Sequence, residues 1–259
     1  MRRIGLTVVA LVAASGVAAC SSSSSGGNNT TPTSGTSSTP TTATSSAAFD
    51  KTTATTQANA ALLTVSDLPA GWTSTPSQNT AADDAVINNG LASCLSVPVG
   101  IFAKQGPNKV EVSADFSSPN NGATGSFSEH VDSESSSEIA AEFAVVNSSK
   151  LAGCMQSVYG PFLKQKFASN PQTKAAKIGT VTATKGNLPT FGDESAGFEI
   201  TVPISIGTTK TEAVIDLIFV RVGNLSAQLA FESEGKPFDT TTGASITQKA
   251  TDKLTAANG

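Results

Sequence analysis

Apolar and polar residues alternate along several stretches of this chain, and such alternation is typical of β-strands with one buried face. Three of these stretches lie at 110–116, 196–206 and 225–231. The stretch 211–222 is apolar on both faces, so we expect a central strand that is covered on both sides. Because proline has no N–H for a sheet ladder, Pro203 predicts an edge position or a bulge in its strand.

Apolar residues spaced three or four apart indicate helices elsewhere in the chain. The predicted helices lie at 55–64, 81–95, 136–167 and 241–256, and weaker strands are predicted at 125–132 and 177–184. The helix at 136–167 contains Gly153 and Gly160–Pro161, which predict a kink or a division into two helices. Helices therefore precede, interrupt and follow the strands.

The order of these elements predicts an α+β fold. Gly223–Asn224 is a tight hairpin signal between two of the strands. We expect a single curved antiparallel β-sheet with helices packed mainly on one face and the long helix lying across that face. The chain length suits one domain or at most two small ones, and we place a single domain at 55–259.

The first twenty residues carry the pattern of an export signal. Arg2 and Arg3 precede the apolar stretch 4–19, and residues 17–20 are Val-Ala-Ala-Cys. This motif resembles a bacterial lipobox, which implies a signal peptide over 1–19, cleavage before Cys20 and attachment of a diacylglyceryl group to that cysteine. An added acyl chain such as palmitate would complete the anchor. The alternative is an ordinary secretory signal in which Cys20 is incidental.

Two or more acyl chains hold a protein stably at a membrane. The motif therefore predicts a lipoprotein on the extracytoplasmic face of the cell membrane, with the membrane as its partner through the lipid anchor. Residues 20–54 follow as a predicted disordered tether, because 18 of the 26 residues from Ser21 to Ser46 are Ser or Thr. O-glycosylation of this tether is an open alternative.

The charge of the chain argues against nucleic acid as a partner. The formal net charge is −4, and removal of Arg2 and Arg3 with the signal peptide changes it to −6. No basic patch stands out in the sequence, so that binding to a phosphate backbone has no electrostatic support.

Two cysteines remain besides Cys20, and both fall on the apolar stripes of predicted helices. Two thiols in an exported domain leave one intramolecular pairing, so we predict a disulfide between Cys94 and Cys154. A metal or redox pair is the competing interpretation, and the lack of a Cys-x-x-Cys motif disfavours it.

Catalytic motifs are weak in this sequence. His130, Asp132 and Glu134 alternate along a predicted strand and are a conceivable cation site, although a solvated strand edge is the favoured interpretation. No Gly-x-Ser-x-Gly elbow is present, and the acidic pair Asp193–Glu194 is typical of a turn. We therefore predict a protein that is not an enzyme, with no catalytic residue, no metal and no cofactor.

Asp216 is the one polar residue whose position suggests binding. It lies within the apolar stretch 211–222, in line with Val214 and Ile218. A carboxyl group buried there must be paired or must have a raised pKa. It is either a polar contact inside an apolar ligand cavity, or a partly exposed residue or an ion pair with a group such as Arg221.

Several motifs together resemble a known group of proteins. They are the lipobox, the Ser/Thr-rich tether, Cys94, Cys154, and the sequences Leu-Leu-Thr-Val-Ser-Asp-Leu-Pro-Ala-Gly-Trp at 62–72, Leu-Pro-Thr-Phe-Gly-Asp-Glu at 188–194 and Val-Arg-Val-Gly-Asn at 220–224. This layout is similar to actinobacterial cell-envelope lipoproteins and to the extracellular sensor-type domains of mycobacterial receptor kinases. The resemblance implies an antiparallel sheet with helices and an unidentified ligand.

Taken together, the sequence favours a non-enzymatic lipoprotein that binds a ligand or an envelope component, such as a lipid, between the sheet and its helices. The alternative is a protein–protein interaction or scaffold module of the envelope, and a hydrolase ranks third. An apolar cavity would favour the first interpretation, whereas an exposed apolar patch of several hundred Å² would favour the second.

Overall fold

The computed structural model describes residues 49–75, 81–102, 105–118, 125–171 and 173–259, with the side chains of 81–84 excepted. Residues 1–48 lie outside the described residues. They comprise the predicted signal peptide 1–19, Cys20 and the predicted tether 20–54 as far as residue 48. The described part contains five α-helices: α1 Lys51–Ala61, α2 Ala81–Leu95, α3 Ser136–Val146, α4 Leu151–Ser169 and α5 Thr240–Asn258.

Eight strands complete the described part of the chain. They are β1 Thr73–Thr75, β2 Lys109–Ser118, β3 Gly125–Glu134, β4 Ala176–Ile178, β5 Thr182–Gly186, β6 Glu194–Ile206, β7 Thr209–Val222 and β8 Leu225–Glu234. They form one antiparallel sheet in the order β1-β2-β3-β8-β7-β6-β4, with β5 also paired to β6. The predicted α+β fold with a single antiparallel sheet is confirmed.

The larger helical layer, α2 to α4, covers one face of the sheet. Its core contains Phe143, Phe162 and Phe198 and uses Leu217 and Phe219 from β7. The terminal helices α1 and α5 form a smaller layer on the opposite face, with Ile218 and Val220 from β7. The prediction of a central strand covered on both sides is therefore confirmed for β7.

Helix boundaries are where the sequence prediction fails most. α1 begins at Lys51 instead of residue 55, because the Asp50 carboxylate accepts a hydrogen bond from the Thr52 N–H at 2.9 Å and caps the helix. The predicted tether boundary at residue 54 is therefore too late. The helix at 136–167 does divide in two, but at 147–150 and not at its glycines, since Pro161 lies inside α4.

Pro203 lies in an internal strand and not at the sheet edge. On the side of β6 that faces away from β7, residues 197–201 pair with β5 and residues 204–206 pair with β4. Pro203 lies between these two paired segments. The Gly179 N–H donates to the Pro203 carbonyl at 2.8 Å in this gap. The missing N–H of proline thus leaves the paired segments of the ladder intact.

The predicted disulfide is confirmed and joins α2 to α4. Cys94 and Cys154 have Cα atoms 5.7 Å apart, which suits a disulfide. Cys154 is buried, but Cys94 is exposed at the edge of the apolar stripe and not within it, contrary to the prediction. The helices approach closely because Gly90 has no side chain; a Cβ atom there would lie 2.9 Å from Val158 Cγ1.

None of the helices among the described residues has the length and apolar character needed to cross a membrane.

Candidate functional site

A cavity of ≈ 330 Å³ opens on the face of the sheet that α1 and α5 cover. Its floor is formed by β6 and β7, and its walls come from the segment that precedes β6 and from the start of α5. The apolar lining residues include Leu188, Pro189, Phe191, Ile218, Phe231 and Phe238. This volume and this lining fall within the range of small-molecule binding sites.

The wall that precedes β6 depends on a close approach to the sheet. A Cβ atom at Gly197 would lie 2.3 Å from Leu188 Cδ1, so that glycine is required for Leu188 to lie against β6. The Phe191 N–H donates to the Ser195 hydroxyl at 3.0 Å and fixes the end of this segment. The motif at 188–194 therefore shapes the cavity wall.

The second wall is the first turn of α5 and the residues before it. Asp239 caps this helix, because its carboxylate accepts a hydrogen bond from the Thr242 N–H at 2.8 Å. Phe238, directly before the cap, packs on Phe231 with ring centroids 4.9 Å apart. Gly243 and Ala244 of α5 also line the cavity.

Asp216 lies in this cavity, opposite Glu199 in the β6–β7 register. Burial and, after it, the Glu199 carboxylate raise the pKa of Asp216 to about 6, against a hydrogen bond from the Phe238 N–H that acts in the opposite direction. Among the described residues Asp216 forms no salt bridge. The predicted alternative of an ion pair with Arg221 is wrong, since Arg221 Nη1 pairs with Glu194 Oε1 at 2.5 Å.

Asp216 is partly exposed. The structure therefore combines features of both sequence interpretations: a carboxyl group in an apolar cavity, and incomplete burial at the edge of a helix. Its lack of a basic partner in the described residues distinguishes it from an ordinary structural ion pair.

A second cavity, of ≈ 110 Å³, lies on the opposite face beneath α2, α3 and α4. Lys109 is its central cation: Lys109 Nζ lies 2.5 Å from Glu134 Oε1, 3.1 Å from Glu142 Oε2 and 3.3 Å from Asp132 Oδ2. These three carboxyl groups offer oxygens within 4.8 Å of one another, a spacing that suits a cation. The ammonium group of Lys109 supplies that cation from the chain itself.

Protonation of carboxyl groups around Lys109 reduces the negative charge that the ammonium group does not balance. Burial acts to lower the pKa of Lys109, but the surrounding carboxylates raise it well above its ordinary value. Burial and the nearby Glu142 raise the pKa of Glu134 to about 8. Burial acts to raise the pKa of Glu142 as well, but the Lys109 ammonium and a hydrogen bond to Glu134 together lower it. The cluster therefore joins β2 and β3 to α3 with little excess charge.

The residues predicted as a conceivable cation site belong to this second cavity or its edge. His130, Asp132 and Glu134 are buried in the interior strand β3, so that the favoured interpretation of a solvated strand edge is wrong. His130 Nδ1 lies 3.0 Å from Glu111 Oε1, and the carboxylate accepts this hydrogen bond. Sequence reasoning missed Lys109 and Glu142. Their only signal in the sequence is that each is a charged residue close to the buried face of its element, Lys109 on β2 and Glu142 on α3.

Sequence reasoning also missed Glu129, a fully buried carboxyl group on the face that α1 covers. Glu129 Oε2 accepts a hydrogen bond from the Leu63 N–H at 2.7 Å, and burial raises its pKa to about 8. The available signal was its place between Phe127 and Val131 on the apolar face of β3. Its role is to hold the end of α1 on the sheet.

Comparisons with known proteins give no assignment. The chain matches no protein-family model, and no curated protein and no solved structure matches it significantly. Function is therefore inferred from the two cavities and from the sequence motifs.

Proposed function

We propose that this chain is a non-enzymatic lipoprotein, held by Cys20 on the extracytoplasmic face of the cell membrane, that binds a small, largely apolar ligand in the cavity at Asp216. The observation that carries the proposal is a cavity of ≈ 330 Å³ with aromatic walls and with the carboxyl group of Asp216, which has no salt-bridge partner among the described residues. The resemblance of the sequence motifs to actinobacterial envelope lipoproteins and to sensor-type domains also supports this proposal.

An envelope interaction module would need an exposed apolar surface. In the described residues the large apolar side chains that are exposed are Val65, Val86 and Val99. They belong to three separate segments: the short helical turn Val65–Asp67, α2, and the turn Val99–Phe102. The cavity at Asp216 thus supports ligand binding more directly than these side chains support a partner surface.

The cavity is tested by filling it. Ala244 and its neighbour Ser245 are both exposed on α5, but only Ala244 lines the cavity. The full chain with Cys20→Ser, which has no acyl chain of its own to enter the cavity, is titrated with the neutral fluorescent probe N-phenyl-1-naphthylamine. We expect Ala244→Phe to weaken binding by about tenfold or more, and Ser245→Phe to change it by less than about twofold.

Two results would contradict ligand binding at this cavity. One is no measurable binding of the probe to the parent chain. The other is equal affinity in the Ala244→Phe and Ser245→Phe variants, which would put the probe elsewhere on the molecule.

The anchor is tested separately in the organism that makes the protein. We expect the chain in the membrane fraction, with the mass of a diacylglyceryl or triacyl modification on Cys20, and we expect Cys20→Ala to leave that fraction. A freely secreted protein with an unmodified Cys20 would contradict the anchor but not the cavity.

A further inference from the structure

The charged groups of the Asp216 cavity are all of one sign. Glu199, Asp216 and Asp239 line it, and no lysine or arginine belongs to the lining among the described residues. Lys236 lies outside the lining and acts on Asp239, lowering the pKa of that carboxyl group after its hydrogen bonds to Thr242. The cavity therefore presents a negative potential to any ligand that enters.

The aromatic walls have a matching preference. Phe191, Phe231 and Phe238 line the same cavity as the three carboxyl groups. The face of an aromatic ring carries partial negative charge and attracts an ammonium group, more strongly when that group is desolvated. Aromatic rings beside carboxylates thus favour a cation with an apolar body.

We propose that the ligand of this cavity is a small amphiphilic cation, an amine or a quaternary ammonium group on an apolar body. This inference rests on the proposed function, because it names the ligand class for the same cavity. The apolar body lies against Leu188, Phe231 and Phe238, and the cationic group lies beside Asp216 and Glu199. A fatty acid or an anionic lipid headgroup would place its own negative charge beside these carboxylates and be repelled.

The same geometry predicts the pH dependence of binding. Burial and Glu199 raise the pKa of Asp216 to about 6, so that this group is neutral at pH 5 and ionised at pH 7.5. The groups that face it are Glu199 on β6 and Asp239 before α5, with Lys236 beyond Asp239. Ionisation of Asp216 adds attraction for a cation and repulsion for an anion.

The experiment compares three ligands that share an eight-carbon chain: n-octyltrimethylammonium, 1-octanol and octyl sulfate. Each is titrated below its micelle concentration into the full chain with Cys20→Ser, by calorimetry and by saturation-transfer NMR, with displacement of N-phenyl-1-naphthylamine as the site control. At pH 7.5 we expect the cation to bind about tenfold more tightly than octanol and the sulfate to bind more weakly than octanol. The cation preference should fall at pH 5.

Charge-removal variants locate the effect. Asp216→Asn and Glu199→Gln should each lower the ratio of cation to octanol affinity by about threefold or more at pH 7.5. Glu212→Gln removes the same charge from an exposed position of β7 outside the cavity and should leave the ratio unchanged. Because two separate variants are used, failure of one to fold leaves the other as a test.

The outcomes separate this inference from the proposed function. Octanol or octyl sulfate binding as tightly as the cation, with displacement of the site probe, would overturn the cationic ligand and keep the cavity as a binding site. An equal drop of the ratio in Glu212→Gln would show that the net charge of the domain, and not the cavity, sets the preference, and would also overturn it. No binding of any ligand, together with no binding of the naphthyl probe, would overturn both.

Discussion

The two cavities of this protein use carboxyl groups in opposite ways. Beneath α2 to α4, Asp132, Glu134 and Glu142 surround the Lys109 ammonium, so that the chain provides its own cation. On the other face, Asp216 and Glu199 lie opposite each other without a salt bridge between Asp216 and any described residue. The first site is complete in the sense that a basic group of the chain pairs with its carboxyl groups, and the second is incomplete because Asp216 has no such partner among the described residues.

The difference separates a structural cluster from a binding site. The complete cluster lies on the face that the disulfide Cys94–Cys154 also ties together, and its cavity of ≈ 110 Å³ is small. The incomplete site lies beside a cavity three times as large, of ≈ 330 Å³, between α5 and the sheet. Buried charges that lack a partner in the chain are the ones that an external ligand can complement.

Lys109→Met should have the largest effect, because it removes the cation from the complete cluster. Carboxylates left buried without a partner cost about 3–5 kcal/mol in the free energy of unfolding. Burial raises the pKa of Asp132 and Glu134, so that this cost appears as the pH rises through those pKa values and is smaller at pH 5 than at pH 8. Urea unfolding at the two pH values measures it.

Lys249→Met is the matched control, since Lys249 is exposed on α5 and its loss should cost less than about 0.5 kcal/mol. A loss below about 1 kcal/mol for Lys109→Met at pH 8 would mean that the cluster is not held by its lysine. The contrast between the two cavities would then disappear.

Removal of the disulfide should have the next largest effect. The bond closes a loop with a sequence separation of 60 residues, and loss of such a constraint costs about 2–4 kcal/mol. We expect Cys94→Ser with Cys154→Ser to lower the free energy of unfolding by that amount, measured as a lower urea midpoint at an unchanged slope. Binding of the naphthyl probe at low urea should change by less than about twofold, because the Asp216 cavity lies on the opposite face of the sheet.

A large loss of probe binding in the folded double variant would contradict the separation of the two faces. The cavity would then depend on the packing of α2 against α4, through β7, and the disulfide would contribute to ligand binding as well as to stability.

The sheet could be predicted from sequence because its signals are local. The two apolar faces of 211–222 and the turn at Gly223–Asn224 predicted β7, its central place and the hairpin to β8, and all are found. The predicted start of α1 was wrong for a local reason that the sequence contains: Asp50 is a capping residue five positions before the predicted start. The prediction of a break at Gly153 or Gly160–Pro161 was wrong, because tertiary packing keeps α4 continuous through Pro161.

The charged cluster could not be predicted, because it is assembled from distant positions. Lys109 and Glu134 meet through the β2–β3 register, and Glu142 reaches them from α3. Alternation along β3 placed His130, Asp132 and Glu134 on one face correctly, but it does not tell which face is buried. Asp216 was recognisable because a single strand that is apolar on both sides is itself evidence of burial.

Asp216→Asn should have the smallest effect on stability, and its sign is the informative part. The folded-state pKa of about 6 lies above the ordinary value of 3.8, so that Asp216 favours the folded state only while protonated and costs stability as the pH rises through 6. Because water screens the exposed part of the carboxyl group, we expect Asp216→Asn to stabilise the chain by about 1 kcal/mol at pH 7.5, with little change at pH 4. Thermal unfolding at the two pH values measures this, with Glu212→Gln as the exposed control on the same strand. Equal or lower stability of Asp216→Asn at pH 7.5 would contradict a destabilising carboxylate. A gain would mean that the chain keeps a destabilising charge in its cavity, as expected of a group retained for a ligand.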